Sequence, residues 1–336
     1  MRALVALLAL SLAACSSPST QATPSASPSS PASPEPQACQ SPRDPQGPPT
    51  GVGITAAIAL GCEAGAVAVG GDSVWVVPHL DRFALRIDPS TNSVIDRIPL
   101  GDRGPGAEID ATDDMVWASV SSPSYDFERI VRIDPTTGSV VASVDAAGAF
   151  PVIGAGFVWA TGQGEVYRID PATNSVAEVI EATYCRMITL DDRAFCLGPD
   201  DGRSLSIDPT TDVATPLEGS PNLGWPVIAA DGLIWVVDDE SLRAFNPATE
   251  QVEADIKAPA ATVWSHDGVV LDGSLWASAS SVNGPANQLL RIDRLNMSVD
   301  CVLPVPTSEL GMAAGFGSIW LPVLGQSWLL RIDPTC

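Results

Sequence analysis

From residue 66 onward the chain alternates between short apolar runs and clusters of Gly, Pro, Asn and Asp. AVAV at 66–69, SVWVV at 73–77, FALRID at 83–88 and SVIDRIPL at 93–100 are the first four runs. β-Branched and aromatic residues bounded by turn formers predict strands, here lettered a to d. Apolar residues sit on successive positions rather than strictly alternating, as in sheets covered on both faces.

The four-strand unit repeats. A tryptophan in strand b recurs at Trp75, Trp117, Trp159, Trp235, Trp276 and Trp320, about 40 residues apart, except for one gap of nearly twice that length. DRAFCLG (192–198) supplies the missing copy, with Cys196 set at the tryptophan position. A second marker, RIDP or a relative, occurs at Asp88, Asp134, Asp170, Asp208, Asn246, Asp293 and Asp333 and alternates with the first. Seven units with a period near 40 and four strands each predict an all-β, seven-bladed β-propeller of antiparallel blades. The last copy stops after strand c at RIDPTC, whereas 51–61 (GVGITAAIALG) reads as a strand d without a blade. The N-terminal strand is therefore expected to complete the last blade and close the ring over 51–336.

The pattern G-x-V-W-V, L-x-R-I-D-P-x-T-N-x-V and I-x-x-G resembles the YVTN-type propellers of the surface-layer and YncE-like group across residues 51–336. That resemblance implies extracytoplasmic binding or scaffolding. A more distant similarity is to virginiamycin B lyase-like propellers, which implies a histidine and a divalent metal acting at the channel mouth. The only histidines here are His79 and His266.

The N-terminus carries an address. Arg2 precedes an apolar stretch from Ala3 to Leu10, too short to span a bilayer as a mature helix. Leu12-Ala13-Ala14-Cys15 resembles a lipobox, which implies removal of a signal peptide at 1–14 and lipid on the Cys15 sulfur. The Ser/Pro-rich segment that follows, within 15–50, lacks the apolar bulk to fold and reads as a spacer. The expected picture is a propeller tethered by a lipid anchor to the outer face of a bacterial membrane.

Charge narrows the partners. A formal net charge of −23 repels nucleic acid phosphates and anionic lipid surfaces. A small molecule, peptide or protein on the loop face remains as partner, with the membrane reached only through the anchor and the chain a monomer.

Most conspicuous residues have structural work. Six equivalent tryptophans around a ring cannot all be one site. Asp-Pro starts a turn by accepting from backbone N–H groups, and Arg86, Arg132, Arg168, Arg291 and Arg331 are expected to pair with neighbouring carboxylates. Setting Cys15 aside leaves six cysteines, suited to disulfides in an oxidising compartment. Cys185 and Cys196 flank one hairpin and are expected to pair. A Cys39–Cys336 bridge would clasp the ring seam, leaving Cys62 and Cys301.

Functional candidates are the residues that break the repeat where strand a meets the channel. Glu63, Glu108, Tyr184, Arg186, Trp225, Trp264, His266, Asp267 and Glu309 are large where most equivalents are small; His79 and Tyr125 join them from b–c loops. A mixed aromatic and charged rim suits a ligand or peptide, and the first reading is non-catalytic binding. The alternative is a metal-assisted lyase or hydrolase using His266, Asp267 and Glu309. No resident cofactor is expected, and a divalent metal enters only under that alternative.

Overall fold

In the computed structural model the chain divides into two compact units, Met1–Gln37 and Ala38–Cys336. The described residues are 47–79, 81–101, 106–121, 127–162, 164–182, 185–198, 204–217, 224–237, 240–282, 287–306 and 311–336. Cys15, Cys39, Tyr125, Tyr184 and Glu309 lie outside them.

The described strands form seven separate four-stranded antiparallel sheets, each ordered a-b-c-d. Blade one comprises Ala66–Gly70, Ser73–Val77, Phe83–Asp88 and Ser93–Pro99. Blade seven takes Ala313–Gly315, Ser318–Pro322 and Trp328–Ile332 from the C-terminus and Ile54–Ala59 from the N-terminus. The strand expected within 51–61 thus pairs with the last strand c, Ala57 opposite Leu330. No helix of the described residues is long and apolar enough to cross a membrane.

Burial explains the sequence pattern. All five residues of Ser73–Val77 are buried, because strand b has a neighbouring blade on each face. Strand d lies at the rim, and Ser93–Pro99 is mostly accessible. Each repeat tryptophan packs between its own blade and the next; Trp75 lies among Ile109, Val116 and Val131 of blade two. Its indole N–H donates to the Gly70 carbonyl at 2.9 Å, and Trp159 and Trp320 repeat this with Gly154 and Gly315. Gly70 is required there: a Cβ would come within 2.4 Å of the Thr112 carbonyl oxygen.

Register corrects one alignment. Phe195, not Cys196, occupies the tryptophan position of blade four: Trp75 opposes Ala68 and Arg86, and Phe195 opposes Ile188 and Ser206. Cys196 lies one step further and bonds Cys185, their Cα atoms 5.4 Å apart, as expected.

The other bridge departs from expectation. Cys336 bonds Cys301, not Cys39. Strand d of blade six, Ser298–Val305, turns Cys301 toward blade seven, where it packs with Ile54, Trp328 and Ile332. The chain end reaches that same wall. Cys62 is disulfide-bonded as well.

The Asp-Pro turns behave as read. Asp88, Asp134, Asp170 and Asp208 accept from the backbone N–H two residues on, at 2.7–2.8 Å. Hydrogen bonds from the turn hold three of these carboxyls below their ordinary range, led by the Ser90 hydroxyl at Asp88, the Thr137 N–H at Asp134 and the Thr210 N–H at Asp208. Asn92, Gly138 and Asn174 close the turns at positive φ, the conformation that Asn and Gly tolerate best.

The arginines do something else. Among the described residues only Arg168 and Arg291 of the five meet carboxylates, Asp212 and Asp300. Arg86, Arg132 and Arg331 stack on their own blade's tryptophan and donate into the next blade's turn. The side chain is long enough to cross the seam and meet a backbone carbonyl of the turn there.

Candidate functional site

Strand a enters each blade from the channel mouth. Its residue opposite the tryptophan position is Ala68, Asp110, Val152, Ile188, Ile228, Val269 and Ala313 in blades one to seven. Two residues earlier stand Ala66, Glu108, Phe150, Arg186, Pro226, Asp267 and Gly311, one per blade. This layer gathers the chemistry. Strand a is irregular in register just there in blades two, three, five and six. Such bulges re-aim side chains, and Phe150 sits at φ 52°, the left-handed region.

Arg186 is the hub. Its guanidinium carbon lies 4.7 Å from the Phe150 ring centre and 5.5 Å from that of Trp225, the flanking blades. Stacked aromatic faces hold a guanidinium while stripping its water. The same cation acts electrostatically on Glu108 of blade two and Asp267 of blade six.

Both carboxyls are held above their ordinary range. For Glu108, burial is the main cause and pushes it to about 7; Arg186 pulls it down and Asp267 pushes it up. Glu108 keeps some solvent access, yet protein encloses it on most sides. Its backbone N–H donates to Ser119 Oγ at 3.1 Å. Asp267 is raised by burial against the pull of Arg186, the Gly311 N–H at 3.2 Å and His266. The layer thus holds one fixed cation and two carboxyls that bind protons more tightly than exposed ones.

His266 is exposed and meets Trp225 edge to face, ring centres 6.3 Å apart. Glu108, Arg186, Trp225, His266 and Asp267 therefore come together as one cluster. Trp264 does not join it by any described contact: it is buried between blades and donates its indole N–H to the Ile256 carbonyl at 3.1 Å. Glu63 and His79 belong to blade one, where the His79 N–H meets the Glu63 carbonyl at 3.3 Å. Among the described residues no three of His, Cys, Asp and Glu converge as metal ligands.

Sequence reasoning missed two members. Phe150 precedes Trp159 by nine residues, the offset of Glu108 before Trp117, and that spacing was the available signal. Asp110 stands two residues below Glu108 and is enclosed by protein. It accepts from the backbone N–H groups of Ile153 in blade three at 2.7 Å and Ala111 at 2.8 Å. Burial pushes its carboxyl up to about 6 despite those bonds. Asp110 joins two blades.

No protein-family model matches the chain, and no curated protein is significantly similar to it in sequence. Solved structures are similar in fold. A chain in the mitotic checkpoint complex aligns with a TM-score of 0.68 at 9% identity, over 86% of this chain and 96% of its own. BamB from Moraxella catarrhalis gives 0.56 at 13% identity, covering 83% and 99%. The computationally designed Ika8 protein gives 0.57 at 10%, covering 85% and 98%. At such identities the likeness concerns the fold alone.

Proposed function

We propose that this chain is an extracytoplasmic binding propeller of the YVTN-like type, tethered through lipid on Cys15, which docks a peptide, small ligand or partner-protein loop at its channel mouth without chemistry. The layer around Arg186 carries this reading. A guanidinium held between the Phe150 and Trp225 rings is preorganised for a carboxylate or carbonyl, and partly buried Trp225 and exposed His266 offer apolar edges beside it. Two disulfides suit an oxidising compartment. The metal-assisted alternative has no observation in its favour among the described residues, since His266 meets Trp225 and no ligand trio forms.

The test is a thermal-shift screen of the purified protein against peptides and metabolites bearing carboxylates. A binder that stabilises wild type, and loses at least tenfold in affinity to Arg186→Gln and Trp225→Ala, is the expected result. A binder indifferent to both substitutions removes the channel mouth as the site.

A further inference from the structure

In the channel-mouth layer Arg186 of blade four stands across the ring from Ala66 of blade one and Gly311 of blade seven. Glu108 and Asp267, in blades two and six, flank it symmetrically, each two blades away. The Phe150 and Trp225 rings of blades three and five fill the places between. The side opposite the cation is open: a Cβ built on Gly311 would meet no described atom within 4 Å.

The charges sense one another without touching. Arg186 acts electrostatically on both Glu108 and Asp267, yet no hydrogen bond or ion pair joins it to either. Among the described residues its guanidinium makes two ring contacts and donates no hydrogen bond. Its planar fork of N–H groups, suited to a carboxylate, is therefore unspent. The Glu108 carboxyl accepts no hydrogen bond from the described residues, since the bond to Ser119 uses the backbone N–H of Glu108. Asp267 accepts one, from the Gly311 N–H at 3.2 Å. Both carboxyls stay above their ordinary range because burial outweighs a cation that they do not contact.

Enclosed charges held apart in this way favour a ligand that pairs with each of them. A carboxylate alone would meet Arg186 and face two acids. An ammonium alone would meet the acids and face Arg186. A molecule with both charges on neighbouring atoms satisfies the two halves together.

We propose that the ligand of this mouth is a free α-amino acid with an apolar side chain, a proposal that rests on the channel-mouth reading above. Its carboxylate accepts from the Arg186 guanidinium. Its ammonium lies between Glu108 and Asp267, on the side of Ala66 and Gly311. Its side chain leaves past Trp225 and exposed His266. A longer peptide fits less well, because its two terminal charges lie at opposite ends of the molecule.

The probe is phenylalanine, titrated by calorimetry into the purified protein. N-acetyl-phenylalanine, which lacks the ammonium, and phenylalaninamide, which lacks the carboxylate, are titrated beside it. Phenylalanine is expected to bind about tenfold or more tightly than either, the worth of one charged hydrogen-bonded pair. Glu108→Gln and Asp267→Asn are each expected to weaken phenylalanine about tenfold and to leave N-acetyl-phenylalanine within about twofold. Arg186→Gln is expected to weaken both. Retained binding of N-acetyl-phenylalanine shows that a carboxyl variant is folded, and the wild-type ranking of the three probes stands by itself should a variant misfold. If N-acetyl-phenylalanine binds as tightly as phenylalanine and depends on Arg186, the amino-acid proposal is overturned and the channel-mouth reading survives. No saturable binding of phenylalanine at millimolar concentration would likewise overturn the proposal alone. Phenylalanine binding unchanged by all three substitutions would overturn both.

Discussion

Replacing Glu108 by Gln should stabilise the protein at alkaline pH and leave it nearly unchanged in mild acid. Glu108 binds its proton with a pKa near 7 in the fold against 4.5 for an exposed glutamate. Between those values the folded state holds a proton that the unfolded chain has released. Stability therefore falls as pH rises from 4.5 to 7 and stays low above it. Two and a half pH units at about 1.4 kcal/mol each give a loss of about 3 kcal/mol. Glutamine resembles the protonated acid in shape and charge and does not titrate. The Glu108→Gln variant should match wild type near pH 4.5 and exceed it by about 2–3 kcal/mol at pH 8, equivalent to about 3–5 °C in melting temperature for a body of this size.

The assay is thermal unfolding of both proteins from pH 4.5 to 8.5. Asp110, with a pKa near 6, contributes a slope of the same sign over a lower window, so the difference between variant and wild type is the quantity to read. Arg186→Gln supplies a second arm. Without the cation that pulls Glu108 down, its titration should move above 7, visible in the 13C carboxyl shift. A variant-minus-wild-type difference that is constant with pH, or a Glu108 carboxyl that titrates near 4.5, would refute the buried layer.

Arg132→Ala should cost about 1–3 kcal/mol in denaturant unfolding, since a stacked cation and two cross-seam hydrogen bonds are lost. Arg291→Ala, which loses an exposed pair with Asp300 and a contact over Trp276 in its own blade but no cross-seam hydrogen bond, should cost less, about 1 kcal/mol. Replacing Cys301 and Cys336 by Ser, a bridge 35 residues apart in sequence, should cost about 3–4 kcal/mol, read as a lowered melting temperature that reductant no longer changes for this link. Cys15→Ser should move the protein from the membrane fraction to the soluble extracytoplasmic fraction; retention on membranes would count against lipidation.

The repeat made the fold legible because each blade needs the same buried strand b and the same turn. A pattern repeated seven times averages out local ambiguity, and the two incomplete ends could only meet. Cross-seam chemistry was less legible. Charged residues near Arg86 in sequence suggest ion pairs, but its acceptor is a backbone carbonyl in the next blade, which carries no sequence signature. Cys301 and Cys336 face each other only once the ring closes.

Blade four shows how much depends on a single step of register. With Cys196 as marker, Met187 falls in the channel layer and Arg186 outside it; with Phe195, Arg186 stands nine residues upstream, as Glu108 does from Trp117 and Asp267 from Trp276. The chemical reason to prefer Phe195 was present in the sequence, since an aromatic ring fills the place of an indole better than a thiol does. That same phenylalanine is smaller than the tryptophan it replaces and lacks the indole N–H, and the arginine that would stack on it is absent from position 206. Blade four therefore supplies the guanidinium at the channel mouth, and its turn-face arginine, Arg193, bonds Ser206 of its own blade. A ring of equivalent blades has no preferred azimuth for a partner. The least regular blade breaks that equivalence at both ends of its strands, and the proposed channel-mouth docking therefore predicts that substitutions in blade four alter partner choice more than equivalent ones elsewhere in the ring.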